Sequence, residues 1–259
     1  MAPSPGLRGT SYPGNTDQDF HQPQRGCARN LFAGNPPLVV WLDCDGALAA
    51  QIREAAAPFS NITVKELAAR ETETWRAVEA AQDLRLPGVR DAVKDTCGYL
   101  TVVLLKTELV ARSICEGDIP EGMASGWIDI GVSQMNGLGD QTQVWMDYIN
   151  RWQGDRIRIP GLIRPESLSG SDFMAGVHWG FCGGLFCGPQ ELLLKFAGDA
   201  LHTLRMMLAR GDLTWEVNLW VVVYGRHPQW FSWYKAEFDV RMLRHLVEEE
   251  GAMNKSDRV

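Results

Sequence analysis

Two short apolar runs in this chain end in the same way. Leu38-Val39-Val40-Trp41-Leu42 stops at Asp43 and Gly46, and Gly126-Trp127-Ile128 stops at Asp129 and Gly131. A continuous apolar run closed by an acid and a glycine is the pattern of a buried strand, most often one in a parallel sheet. Around these runs the apolar spacing changes to that of helices. Ala47 to about Ala56 is alanine-rich, with Leu48 and Ile52 one turn apart. Asn61–Val64 reads as a second strand, and Lys65–Ala81 as an amphipathic helix with Leu67, Trp75 and Val78 on one side. Tyr99–Cys115 is long and apolar, and its length favours a buried helix although Val102 and Val103 are β-branched. Gln143–Trp152 is a short helix and Ile157–Ile159 a short strand. Pro189 occupies a first helical position, ahead of a strong 3.6-residue period over Gln190–Arg210 that Gly211 ends. Thr214 caps a helix over Trp215–Tyr224, and a last helix covers Ala236–Glu250. Strands alternating with helices predict an α/β fold with a mostly parallel sheet. Ligands collect at the carboxyl ends of strands in such sheets, where Asp43, Asp45 and Asp129 sit.

Residues 1–37 are rich in Pro, Gly, Asn, Gln and Ser and carry no period, so they read as a disordered arm. Residues 38–250 form one domain, and 251–259 are a polar tail. A length of 259 residues at 45% hydrophobic composition supports one sizeable core. The net charge of −7, with no dense basic run, argues against nucleic acid as the partner. Six cysteines with no CxxC pair, no apolar leader and no apolar stretch near the ~18 residues of a membrane span predict reduced thiols in the cytoplasm. There are ten tryptophans. Most must be core, and a minority can line a groove and stack on a sugar face.

Four constellations carry possible chemistry. Asp43 and Asp45 are either turn residues or oxygen ligands for a hard cation at a sugar-nucleotide site. Asp129 at its strand end can ligate a metal or bond a sugar hydroxyl. Glu216 begins a helix, where the dipole favours a carboxylate, or serves as a general base toward an acceptor hydroxyl. His178, Cys182 and Cys187 are metal-ligand types without a common zinc spacing. His178 is otherwise a packed core residue or a third ligand, with Asp129, to a catalytic cation. The segment Ala175–Gly188, AGVHWGFCGGLFCG, has five glycines in fourteen residues, so the backbone comes close to a ligand or another element there.

The run Val102–Val110, then GWIDIGV, then GVHWGFCGGLFCG, then TWEVNLW resembles the WlaTC/HtrL (YibB-like) glycosyltransferases. The similarity spans about Leu38 to Leu243. It implies a GT-A fold, a nucleotide-binding α/β sandwich whose mixed central sheet is mostly parallel and flanked by helices. It also implies transfer of a sugar from a nucleotide-sugar donor to an acceptor hydroxyl, on a glycan or polysaccharide. Such enzymes carry an Asp-x-Asp motif that holds Mn²⁺ or Mg²⁺ on the diphosphate. Asp129, beside Trp127, takes that place here, and the second Asp is Gly131. By the same resemblance Gly183 and Gly184 line the donor-sugar and acceptor pocket and Glu216 is the base; Asp43, on the reading of its own segment, would support the donor site. Lys106 matches a lysine on the helix before the Asp strand, where it contacts phosphate or pairs with an acid. The strand that opens the family's fold has no counterpart in Met1–Asn30.

Two other readings stay open. Asp43-Cys44-Asp45-Gly46 resembles the first motif of haloacid-dehalogenase phosphatases, with Asp43 as nucleophile and Asp45 as acid/base, although Ala47 replaces the usual Thr. The chain is alternatively a catalytically inactive binding protein on a GT-A-like fold.

Overall fold

The computed structural model describes residues 32, 37–42, 47–129, 148–149, 151–236 and 242. Leu38–Leu42 forms a strand, β1, which pairs in parallel with β2, Ile62–Glu66. Helix α1, Ala47–Ala56, makes the crossover that two parallel neighbours require. Its Ile52 and Ala56 close a small core with Phe32, against which Val40 and Val64 pack. β1 is half-buried along its whole length, and its sheet has two strands among the described residues.

The second sheet has four strands in the order β3 (Ser125–Ile128), β5 (Leu185–Gly188), β4 (Ile157–Gly161) and β6 (Phe231–Lys235). β3 and β4 run antiparallel to β5, while β6 runs parallel to β4. The sequence predicts one mostly parallel sheet. Among the described residues the chain is mixed α/β, with two small sheets, one parallel and one mixed. β5 comes out of the glycine-rich segment and runs back between β3 and β4, and apolar periodicity carries no record of such a return. Gly126 of β3 makes the close pairing possible: a Cβ there would stand 2.3 Å from Phe186 O and 2.9 Å from Cys187 Cα.

Helices α2 (Glu73–Ala80), α3 (Cys97–Cys115), α4 (Gln190–Leu208) and α5 (Glu216–Arg226) complete the body. The single helix predicted over Lys65–Ala81 does not form. β2 continues through Glu66, a 3-10 turn covers Ala69–Glu71, and Thr72 accepts the Trp75 N–H to start α2. Glu108 of α3 adds a second cap, accepting the N–H groups of Glu73 and Thr74 at 2.8 and 2.9 Å. α3 is buried on most sides, from Leu100 through Lys106 to Ser113, which is why its amphipathic period is weak. Pro189 is the N-cap of α4, one position before the predicted one. Tyr148, Ile149, Arg151 and Met242 are helical, and the remainder of the helices predicted over Gln143–Trp152 and after Ala236 lies outside the described residues.

The main core joins α3, α4 and α5 to the four-stranded sheet. Phe186, Phe196, Trp220 and Phe231 meet edge to face there, at centroid distances of 5.3–5.8 Å. Each such ring adds about 0.5–1.5 kcal/mol per pair beyond its area burial. No helix among the described residues is long and apolar enough to cross a membrane.

Candidate active site

A cavity of about 630 Å³ lies between α3, the end of β3, the Gly183-Gly184 turn and the start of α5. Lys106 enters it from the middle of α3. Its ammonium donates to Asp129 Oδ2 at 2.9 Å, to the Gly183 carbonyl at 2.9 Å and to Glu216 Oε1 at 3.0 Å. An ammonium has three donors, so all are used. The Lys106 and Glu216 side chains are 9% and 7% exposed, and Asp129 is 36% exposed. Burial works against the charge on Lys106, but the Glu216 and Asp129 carboxylates outweigh it and hold its pKa above the ordinary lysine value.

Local structure aims each group. Trp127 and Asp129 are two residues apart on an extended segment and so share a face. The Trp127 indole N–H donates to Asp129 Oδ1 at 2.5 Å, which leaves both carboxylate oxygens engaged. The Asp129 N–H bonds to Gly184 O at 2.8 Å and extends the β3–β5 ladder one residue past Ile128. Glu216 opens α5, and Trp215 is the N-cap with no side-chain bond. Thr214 therefore does not cap this helix. Its hydroxyl donates to Phe173 O and accepts from Asn218 Nδ2. Asn218 is fully buried and ties α5 to the glycine-rich segment, donating to Gly176 O and accepting from the His178 N–H. At Gly183 a Cβ would lie 2.3 Å from Glu216 Oε1, so only glycine lets the carbonyl and the carboxylate share Lys106.

The fold thus brings together Lys106, Trp127, Asp129, Gly183, Gly184 and Glu216. His178 is placed elsewhere. Its ring meets Phe173 edge-on and its Nε2 lies 3.1 Å from Asp172 O, while its neighbours Val177 and Trp179 line the cavity. His178 is not among the residues that line the cavity with Asp129. No group of three metal-ligating side chains occurs among the described residues. Cys182 and Cys187 are buried free thiols, pushed up to about 12 by burial, and serve as core. Asp43, Asp45 and Gly131 lie outside the described residues, although Trp41 and Leu42 at the end of β1 reach the cavity.

Among the described residues the donor set does not fit a divalent cation at Asp129. Each oxygen of that carboxylate already accepts from a protein donor, and among the described residues the other carboxylate at this centre, Glu216, is bound to the same buried ammonium.

Sequence reasoning did not single out Trp41, Lys94, Tyr99, Trp179 and Trp215, which line the same cavity. For the three tryptophans the signal was the high tryptophan count, which cannot say which rings are core. The Lys94 ammonium sits 5.1 Å from the centre of the Tyr99 ring. Comparison of the chain with models of protein families, with curated proteins and with solved structures returns no match.

Proposed function

We propose that the chain is a glycosyltransferase that moves a sugar from a nucleotide-sugar donor to an acceptor hydroxyl on a glycan. The observation that carries this reading is the pairing of Asp129 and Glu216 in a cavity lined by Trp41, Trp127, Trp179, Trp215 and Tyr99. Flat aromatic faces take the apolar face of a sugar ring, and carboxylates take its hydroxyls. The four sequence blocks that resemble the WlaTC/HtrL glycosyltransferases supply 14 of the 21 residues that line this cavity, Lys106, Asp129, Gly183, Gly184 and Glu216 among them, which adds support. The four free thiols among the described residues suit a reducing compartment such as the cytoplasm.

In this reading Glu216 accepts the proton of the acceptor hydroxyl. The oxygen bonds to the anomeric carbon as the bond from that carbon to the diphosphate breaks, and the diphosphate leaves with the electron pair. Asp129 orients a donor hydroxyl and offsets positive charge at the anomeric carbon. Lys94 is the ammonium on the cavity wall that enters no ion pair among the described residues, and it meets the charge of the diphosphate.

The test is a melting-temperature screen against UDP-, GDP- and CMP-sugars, followed by nucleotide release with an oligosaccharide acceptor. A donor that binds only the folded chain raises the melting temperature. Glu216→Gln is expected to slow transfer by about 10²–10⁴-fold. Full transfer by folded Glu216→Gln and Asp129→Asn chains would overturn the assignment.

A further inference from the structure

A hard divalent cation selects carboxylate and carbonyl oxygens at about 2.0–2.6 Å. Two carboxylate oxygens and one carbonyl oxygen converge in this cavity, and all three are turned on the nitrogen of Lys106. That nitrogen is buried at the centre of the set. A cation on Asp129 would have to displace the buried ammonium or stand beside it, and two positive centres at such spacing repel. Trp127 closes the other side of Asp129 by holding its remaining oxygen.

We propose that Lys106 takes the place of the divalent cation at this centre, and that the centre binds its ligand with no divalent metal. The ammonium holds Asp129 and Glu216 side by side, as a bridging cation would. It does so permanently, from α3, with no equilibrium to lose. The inference takes the cavity to be the sugar-transfer centre proposed above, yet its test needs no donor.

The probe is Mn²⁺ alone, titrated into the full chain and followed by the paramagnetic resonance of free Mn²⁺. The wild-type chain is expected to take up none at this site at millimolar concentration. Lys106→Met, which keeps the stem and removes the charge, is expected to bind one Mn²⁺ at least tenfold more tightly, a difference of about 1.4 kcal/mol. Adding Asp129→Asn to that variant should abolish the uptake. If Lys106→Met is unstable, Mn²⁺ should raise its melting temperature and leave that of wild type unchanged, and Lys106→Ala gives a second variant with room for a hydrated ion. Wild-type uptake that vanishes in Asp129→Asn overturns the proposal. So does failure of both Lys106 variants to gain uptake or stability from Mn²⁺, because the three oxygens would then be no cation site. A chain that binds no nucleotide sugar refutes the sugar-transfer reading separately, and the Mn²⁺ result still decides the role of Lys106.

Discussion

Replacing Lys106 by Met leaves Glu216 in a nearly dry place without its counter-charge. The Glu216 side chain is 7% exposed and lies 3.0 Å from the ammonium. At that separation and an effective dielectric near 20, the Coulomb attraction is about 5 kcal/mol. Asp129 is 36% exposed, so water screens its share, which falls to about 1 kcal/mol or less. Removing one partner of a buried pair costs about 3–5 kcal/mol in measured cases, and Lys106→Met should fall in that range. For a chain of this size each kcal/mol corresponds to roughly 2–4 °C of melting temperature, so the variant should melt about 6–20 °C lower. Glu216→Gln keeps an oxygen for the ammonium and should cost about 1–3 kcal/mol. The double variant has neither buried charge at this pair, and the two losses should fall short of additivity by about 1.5–3 kcal/mol. Urea unfolding at neutral pH, followed by tryptophan fluorescence, measures all three. A cost below about 1 kcal/mol for Lys106→Met would refute the reasoning, as would single losses that add within about 0.5 kcal/mol.

Gly183→Ala should push the Glu216 carboxylate off Lys106, costing about 1–3 kcal/mol in urea unfolding and abolishing transfer. The raised pKa of Lys106 stabilises the fold fully below the ordinary lysine value of about 10.4, and that share is lost as pH rises through the folded value. Melting curves from about pH 10.4 upward should therefore fall more steeply for wild type than for Lys106→Met. Among the described thiols, iodoacetamide near neutral pH should label exposed Cys115 first and leave buried Cys182 and Cys187 unlabelled until the chain unfolds, as read by mass spectrometry of the peptides. Trp215→Ala should weaken sugar binding by about 1–2 kcal/mol, the scale of one ring contact, in a fluorescence titration with the donor found by the screen.

Much of this was written in local pattern. The run LVVWL announces β1, and length alone makes α3 a helix. The 3.6-residue period of α4 survives because only one face of that helix is buried, at Leu193, Phe196, Ala200 and Leu204. Asp129 and Glu216 stood out as candidates because each lies at an element terminus, just past β3 and in the first turn of α5. Lys106 was harder to read. It lies mid-helix among apolar residues, and its two acidic partners are 23 and 110 residues away. Nothing local says that its ammonium turns inward. β6 was missed for a related reason: Phe231–Lys235 pairs with β4, more than seventy positions earlier, and a parallel pair leaves no turn signal between its strands. Thr214 misled because a hydroxyl ahead of a helix looks like a cap, while its bonds go to Phe173 and Asn218.

The placement of Asp129 depends on Gly126. Three positions upstream of the carboxylate, it lets β3 lie against β5 with no side chain between them. Any larger residue would lift the strand and carry the Trp127–Asp129 pair away from Lys106. A mutational survey scored by activity would then mark position 126 as if it were chemical, when its contribution is the thickness of a methyl group. The working geometry of the centre is therefore borrowed from the spacing of two backbones, and a thin shim of missing atoms sets the distance between its charges.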